Sequence, residues 1–407
     1  MLIGAVVGTI LGFVAGLVPG IHSNTFASII VANSALLSLY FSPEDLSAMI
    51  VTSAISYTVA NIVPTIFVGV PSEDTAIAVL PTHEMVLEGK GFSALSISCL
   101  SSLFAIFISL PLFATAVFIG QNYDLFRRIT PFVLLSISIL LIMSERSEEF
   151  EGSLAVWRKR LYALLVFLIS GFLGVVALKN SELAEISPAG NVLLPLLTGL
   201  FGAPVLVVSS SSSTKLPEQR LRFEIPELYS VLRGALAGFF VSIFPGISSG
   251  VATVLATLRE KSRESYISAL SSANTANAIL CFFMLITAGK ARSGAADALK
   301  SLKIIPDFSH IVILATISGI FAFFATILIG YGFAKKLSSI DSRKLSITVL
   351  FFLIAIVSVF TGPFGLAVFA TAIPIGLATA YLGVKRVNCM GCLIFPLTLY
   401  YFGLIKF

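Results

Sequence analysis

Two Pro-Gly pairs, each followed by polar residues within apolar sequence, are the strongest candidates for chemistry in this chain. A helix that restarts after such a break leaves its first N–H groups without intrahelical acceptors, and these groups and the helix dipole together attract anions. The residue types therefore predict an anion site at each break. The two sites comprise Pro19, Gly20, Ile21, His22, Ser23 and Asn24 in the first half of the chain, and Pro245, Gly246, Ile247, Ser248, Ser249 and Gly250 in the second.

The two Pro-Gly pairs also have a plainer interpretation, as tight turns between helices. Neither motif contains lysine or arginine, so an anion would be held there by backbone N–H groups and not by a formal cation. Only glycine lets the backbone approach a ligand closely. We therefore expect a bulky residue at Gly20 or Gly246 to abolish binding, whereas simple turns would leave binding intact.

Three asparagines and four charged residues within or near apolar segments extend the candidate site. The asparagines could ligate a substrate or a cation through their amides, and they could equally join helices by hydrogen bonds. Charges at membrane depth are rare unless they are used, so the charged pairs could form a coupling-ion or proton site and a clamp for a substrate carboxylate. They could also be ordinary loop charges. These residues are Asn61, Asn274 and Asn277, and Glu73, Asp74, Lys290 and Arg292.

The composition indicates that membrane helices position these residues. Of 407 residues, 57% are hydrophobic and 12% are charged, and the mean hydropathy is +1.00; a soluble domain carries roughly 25% charged residues. Apolar stretches long enough to cross a bilayer recur along the chain without strand-like alternation. Since backbone groups in lipid must bond within a helix or a closed barrel, the sequence predicts an all-α, multi-pass protein of the cell membrane.

An internal repeat organises the chain into two units. Residues 12–23 align without a gap to residues 238–249 with six identities, and a second match follows in each half, Ser53 to Ser56 with Ser268 to Ser271. Each unit is predicted to contain one Pro-Gly-broken hairpin and about five further transmembrane helices. The apolar N-terminus has no basic n-region or cleavage site, so it is predicted to be the first membrane element. The units are residues 1–208 and 228–407, joined by a polar linker at 209–227.

Loop charges predict that the two units are inverted. The loop Ser42–Asp45 after the first hairpin has no basic residue, whereas its counterpart Arg259–Glu264 has three. Under the positive-inside rule these loops lie on opposite sides of the membrane, which also explains the net charge of +5 without nucleic acid. Arg127, Arg128 and the loop 290–303 then lie outside, unless the local topology differs or their cations face the substrate path. Inverted repeats with broken helices are typical of secondary transporters.

Local motifs resemble a known transporter family. Residues 12–23, the run Val70-Pro71-Ser72-Glu73 and the helix that carries Asn274 and Asn277 resemble the large membrane subunit of tripartite tricarboxylate transporters, the TctA family. The resemblance spans most of the chain, although Ser72 replaces a glycine of the family pattern. It implies uptake of carboxylates such as citrate, driven by a Na⁺ or H⁺ gradient without another cofactor. It also implies a small membrane subunit and an extracytoplasmic solute-binding protein as partners, and a homo-oligomer is compatible with it.

Two other functions remain open from the sequence. Residues 245–250 also resemble the Pro-Gly-x-Ser-Gly-Gly runs of polyprenyl-phosphate translocases, which would make the protein a lipid carrier. An intramembrane enzyme is disfavoured, because the chain lacks a His-Glu-x-x-His motif and a pair of intramembrane aspartates. Its three histidines are scattered, and Cys389 and Cys392 stand without a second cysteine pair. We therefore expect no catalytic residues and no metal.

Overall fold

Helices make up the described part of the protein. The computed structural model describes residues 1–18, 22–72, 74–145, 152–187, 190–211, 215–244 and 262–406. No strand is present among these residues, which confirms the all-α fold. The α-helices are α1 (Leu2–Leu17), α2 (Ser23–Ala32), α3 (Ser34–Leu37), α4 (Pro43–Ala60), α5 (Ile62–Phe67), α6 (Val79–Leu87), α7 (Gly91–Ser109), α8 (Leu112–Gln121), α9 (Tyr123–Met143), α10 (Gly152–Lys179), α11 (Leu193–Leu197), α12 (Ala203–Ser210), α13 (Leu228–Ile243), α14 (Arg263–Ala288), α15 (Gly294–Leu302), α16 (Phe308–Leu337), α17 (Ser342–Tyr381) and α18 (Gly391–Tyr401).

Seven segments of the described chain are long and apolar enough to cross a membrane. The segment formed by α4 and α5 is buried along its whole length, and most of α14 is buried too, so these elements form the centre of the bundle. Most of α17 faces outward, where its apolar side chains suit lipid. The seven segments are Pro43–Phe67, Gly91–Ser109, Leu154–Lys179, Leu193–Ser210, Arg263–Ala288, Phe308–Leu337 and Ser342–Tyr381.

Two helix pairs pack through glycines that the sequence repeat places in matching positions. On α1, Gly8 and Gly12 lie against the backbone of α4, and on α13, Gly234 and Gly238 lie against the backbone of α14. A Cβ at Gly238 would lie 2.5 Å from the carbonyl oxygen of Ala273, so a larger residue would force the helices apart. The two pairs share this packing, and the inverted repeat itself stays a prediction.

The same contacts match residues of α4 and α14 that differ from those paired by the second sequence match. The first glycine of each pair lies against Met49 in one half and against Ala269 in the other, so these two residues occupy matching places. The contacts of Gly12 and Gly238 match Ser53 with Ala273, whereas the sequence alignment pairs Ser53 with Ser268, more than one helical turn away. Small residues recur every few positions on both helices, so a sequence comparison does not distinguish these registers.

Two further helix breaks among the described residues occur at a proline and a glycine. Residues 92–119, an uncharged stretch long enough for one membrane helix, form two helices, α7 and α8, because Pro111 lacks an N–H and interrupts the hydrogen-bond ladder. Residues 345–360 and 364–382 join in the kinked helix α17. The kink lies at Gly362, whose φ of 61° is a conformation that glycine adopts readily.

Two segments that the sequence assigns to loops are helical in the structure. The hydroxyl of Ser42 accepts the N–H of Asp45 at 3.2 Å, so the predicted loop after the first hairpin is the first turn of α4. The stretch 290–303 contains α15, whose N-cap Ser293 accepts the N–H of Ala296 at 3.2 Å. A serine at the N-cap satisfies an otherwise unpaired N–H and so starts both helices.

The polar linker between the halves is anchored to the first half. Its described residues 215–227 run along the start of α7, where Gln219 Oε1 accepts the N–H of Gly91 at 2.8 Å. The N–H of Glu224 donates to Ser96 Oγ at 3.0 Å. The first two residues of the predicted linker belong to α12. The linker is therefore shorter than predicted, and side-chain hydrogen bonds hold it in place.

Candidate substrate site

A polar cavity of about 290 Å³ lies where α2, α4, α14 and α15 approach one another. Leu178 of α10, Leu193 of α11 and Leu393 of α18 close its apolar side. The lining residues come from distant parts of the sequence, so the packing of the helices creates the site. The polar lining residues are His22, Ser23, Asn24, Thr58, Asp74, Asn274, Asn277, Arg292 and Ser293.

The start of α2 forms one wall of the cavity, and His22 is its N-cap. The Nδ1 atom of His22 accepts the N–H of Asn24 at 3.1 Å and lies 3.4 Å from the hydroxyl of Ser23. Where another described helix has a capping side chain, that side chain is a serine or an aspartate, as is usual. The cap requires an unprotonated Nδ1, because a ring N–H cannot accept a hydrogen bond.

His22 also connects the start of α2 to its neighbours. Its Nε2 lies 3.3 Å from Oδ2 of Asp74, and its ring packs against Tyr57 of α4 with the ring centroids 4.9 Å apart. Since Nδ1 is the acceptor in the cap, the hydrogen-bond network assigns the ring proton to Nε2, which donates to the Asp74 carboxylate. Each nitrogen of His22 therefore has a distinct partner.

The start of α15 meets the start of α2 at the cavity. Asn24 Oδ1 accepts the N–H of Ala295 at 3.3 Å. A Cβ at Gly294 would lie 2.7 Å from the Cβ of Asn24, so the glycine permits this close approach. Two helix starts thus line one cavity, and the positive ends of both helix dipoles favour an anion there.

Arg292 brings a formal positive charge to the same cavity. Its guanidinium carbon lies 4.4 Å from the centroid of the Tyr123 ring, and its Nε and Nη2 are buried without a hydrogen-bond partner among the described residues. Burial lowers the pKa of Arg292 because loss of water disfavours the charged form, yet a guanidinium stays protonated at neutral pH. A carboxylate could satisfy these donors with two parallel hydrogen bonds.

The predicted asparagines divide between this cavity and the layer behind it. Asn274 and Asn277 of α14 line the cavity. Asn61 is 2% exposed at the junction of α4 and α5, where its Nδ2 donates to Ser72 Oγ at 3.3 Å. Ser72 lines a smaller cavity of about 100 Å³, which His22 also lines. Asn61 therefore supports the wall of the smaller cavity and does not line the larger one.

The described members of the two predicted charge pairs do not all lie at the larger cavity. Asp74 and Arg292 line the same cavity, whereas Lys290 is exposed and lies in a separate surface hollow with Asp124. Lys290 therefore does not line the larger cavity. The remaining predicted site residues lie outside the described residues, and their roles stay predictions: Pro19, Gly20, Ile21, Glu73, Pro245, Gly246, Ile247, Ser248, Ser249 and Gly250.

Two polar lining residues were not predicted from the sequence. Ser293 followed by Asp297 within the next turn is a helix-start signal that could have revealed α15. Thr58, whose hydroxyl accepts a hydrogen bond from Thr275 at 3.1 Å, has no such signal, because threonines are common in membrane helices. Among the described residues, no group of three or more His, Cys, Asp or Glu side chains is placed to hold a metal ion.

A bundle of helices long and apolar enough to span a membrane, packed around a cavity with a polar side, is the architecture of a multi-pass helical membrane protein. The family model for the tripartite tricarboxylate transporter TctA family matches residues 2–391, essentially the whole chain. The protein belongs to this family and is a multi-pass integral membrane protein. The family forms part of tripartite transporters, which work with a small membrane subunit and a periplasmic binding protein.

A relative of matching length is known in an archaeon. An uncharacterized protein of Methanocaldococcus jannaschii is 28% identical over an alignment 414 residues long. The alignment covers 98% of this chain and 98% of that protein. No solved structure matches the chain. The family membership therefore rests on the sequence.

Proposed function

We propose that the protein is a permease that carries a small carboxylate anion, a di- or tricarboxylate, across the membrane. The observation that carries the proposal is the guanidinium of Arg292, two of whose nitrogens are buried without partners among the described residues. It lies at a cavity that also contains the first turns of α2 and α15. An unpaired cation in such a place costs free energy. A carboxylate that brings two acceptor oxygens offsets this cost.

The neutral lining residues complete a site for a polyfunctional anion. Ser23, Asn24, Asn274 and Asn277 offer hydroxyl and amide groups that donate to a carboxylate and accept from a substrate hydroxyl. A volume of about 290 Å³ is at the lower end for small-molecule sites, which span roughly 300–1,000 Å³. Such a volume favours a small solute over the long chain of an isoprenoid phosphate.

The position of the cavity between the two halves supports alternating access. Helices α2 and α4 come from the first half, and α14 and α15 from the second. The 3.3 Å hydrogen bond between Asn24 and the Ala295 N–H joins the halves at the site. We infer that movement of one half against the other breaks this contact and releases the solute, as in other transporters built from two halves.

The family relationship supports the partners in this proposal. A periplasmic binding protein would deliver the carboxylate, and a small membrane subunit would complete the assembly. Separately, we propose that a Na⁺ or H⁺ gradient drives uptake, because the solute carries negative charge and accumulation needs an energy source. The protein then acts as a transporter and not as an enzyme.

Ligand-dependent stability of the purified protein tests the proposal. Thermal unfolding in detergent is measured with citrate, succinate, glutamate, inorganic phosphate and an isoprenoid phosphate. We expect a carboxylate to stabilise the folded protein by about 2.7 kcal/mol when its concentration is 100 times its Kd. The stabilising carboxylate is then assayed by counterflow in proteoliposomes, with protein-free liposomes as the control.

The outcomes separate the candidate functions. Stabilisation and counterflow with citrate or succinate support the carboxylate permease. Stabilisation by the isoprenoid phosphate alone would support the lipid carrier in its place. If no carboxylate stabilises the protein or exchanges across the liposome membrane, the proposed function is wrong.

A further inference from the structure

We propose that His22 and Asp74 form the proton site that couples proton movement to carboxylate transport. The proposal rests on the proposed function and deepens it by naming the coupling ion and its place. It follows from the two ring nitrogens of His22, which make different hydrogen bonds to different elements. One nitrogen caps α2, and the other faces a carboxylate.

In the neutral state a single tautomer of His22 satisfies both contacts. Nδ1 accepts the N–H of Asn24 at 3.1 Å, while the Nε2 N–H donates to Asp74 Oδ2 at 3.3 Å. The cap therefore occupies an N–H group at the start of α2, at the edge of the cavity. A backbone donor that could hold an anion is paired with the histidine instead.

Protonation of Nδ1 reverses this arrangement. A proton from the more acidic compartment converts Nδ1 from an acceptor into a donor, so the cap bond to Asn24 breaks, because two N–H groups would face each other. The hydroxyl of Ser23, 3.4 Å from Nδ1, can accept a hydrogen bond from the new N–H. The Asn24 N–H is freed for an anion, and the imidazolium adds a positive charge.

The groups around His22 make proton and anion binding mutually favourable. Asp74 faces Nε2 and stabilises the imidazolium, and Tyr57 of α4 packs against the ring. Arg292, preceding α15, lines the same cavity and opposes a second positive charge until a carboxylate neutralises it. Glu73, the neighbour of Asp74, lies outside the described residues. By linkage, a bound carboxylate then raises the proton affinity of His22, and a bound proton raises the affinity for the carboxylate.

His22 borders two cavities, from which a proton could reach its ring. The ring lines both the cavity of about 290 Å³ and the smaller one of about 100 Å³. When the carboxylate leaves, Arg292 again repels the imidazolium. The proton then leaves Nδ1 for the receiving compartment, and the cap to Asn24 forms again.

Selective ¹⁵N labelling of histidine tests the proton site directly, because the chain has three histidines. The spectrum of His22→Asn assigns the His22 signals in the wild-type protein. We expect Nδ1 of His22 to be unprotonated at about pH 8 and protonated at about pH 5.5. Citrate should raise the midpoint of this titration. A ring whose Nδ1 stays unprotonated over the whole range overturns the proposal.

The pH profile of counterflow in proteoliposomes tests the coupling with citrate, succinate and glutamate as probes. We expect the wild-type rate to rise about tenfold per unit of falling pH above the midpoint, as one linked proton requires. His22→Asn keeps a capping acceptor but cannot titrate, so its profile should be flat at whatever rate remains. Asp74→Asn should lower the midpoint by about one pH unit.

A second histidine, His310, provides the control. The results also distinguish a failure of the proton site from a failure of the proposed function. His310 is exposed and pairs with Asp307 outside the cavity, so His310→Asn should keep the wild-type profile. If His22→Asn keeps the wild-type pH dependence, the proton site is wrong and the permease stands. If the wild-type protein exchanges none of the three carboxylates at any pH, the proposed function fails, and the coupling fails with it.

Discussion

Arg292 and Lys290 show how strongly the role of a cation depends on its surroundings. Both follow the end of α14, yet Lys290 is exposed to water, while two guanidinium nitrogens of Arg292 are buried without partners among the described residues. The planar guanidinium can bind two carboxylate oxygens at once, whereas an ammonium group is a point charge. Arg292 is therefore the residue on which recognition of the solute should depend most.

Replacement of Arg292 with glutamine should weaken carboxylate binding by about 2 to 3 kcal/mol, or roughly 100-fold in Kd. The stability of the ligand-free protein should be unchanged or higher, because the variant removes a buried unpaired charge. Isothermal titration with the stabilising carboxylate gives the Kd, and thermal unfolding gives the stability. Arg292→Lys should bind with intermediate affinity and the exposed Lys290→Gln like wild type; equal affinities in all variants would contradict the assignment.

At the scale of elements, close helix approach depends on single glycines. Gly238 of α13 lies against the backbone of α14, whereas Gly332 of α16 has open space where a Cβ would lie. Gly238→Ala should therefore destabilise the protein by about 1–3 kcal/mol through overpacking. Gly332→Ala is the matched control and should have no such effect. Thermal unfolding of both variants decides the question, and equal transition temperatures would contradict the packing argument.

The Pro-Gly breaks lead to a second prediction about elements. If the backbone after each break contacts the solute, Gly20→Val and Gly246→Val should abolish counterflow while the protein stays folded, because a side chain there blocks the approach. Counterflow at matched protein levels measures transport, and size-exclusion chromatography checks folding. Normal transport by both variants would mean that the Pro-Gly motifs are only turns and that the cavity residues alone hold the solute.

At the scale of the whole molecule, hydrogen bonds and ion pairs connect the two halves of the chain. Ser98 of α7 pairs with Ser271 of α14 at 2.7 Å. At the start of α14, Arg263 contacts Glu84 at 2.7 Å and also pairs with Glu88. Hydrogen bonds from Arg263 hold the pKa of Glu88 below its ordinary value of 4.5. The contribution of this pair to stability is therefore present above pH 4.5 and is lost as the pH falls through the lower folded-state pKa.

Arg263→Gln should lower the transition temperature of the protein by at most a few degrees at neutral pH, because exposed ion pairs contribute little. The difference from wild type should shrink as the pH falls through the lowered pKa of Glu88. Thermal unfolding of both proteins, in steps from neutral pH down to the lowest pH at which they stay folded, measures this change. Arg222→Gln is the control, since Arg222 pairs only loosely with Glu224 within the linker. A difference that stays constant with pH would show that the ion pair does not cause it.

The sequence by itself determined the membrane environment, the all-α fold and the family. Hydropathy and the absence of strand alternation are local properties, and any long apolar run must be helical in lipid unless it forms a barrel. The sequence also identified the start of α2, because a helix that begins near His22, Ser23 and Asn24 has first N–H groups without intrahelical acceptors whatever the rest of the chain does. The predicted residues of this first motif that the structure describes do line the cavity.

The tertiary structure decided which of the other polar residues line the cavity. Arg292 and Lys290 have similar sequence surroundings, and only packing against Tyr123 and the cavity distinguishes them. The contact between His22 and Asp74 and the meeting of α2 with α15 join residues far apart in the chain. Such contacts depend on how helices pack, and because small residues permit several registers, local composition does not determine which residues meet.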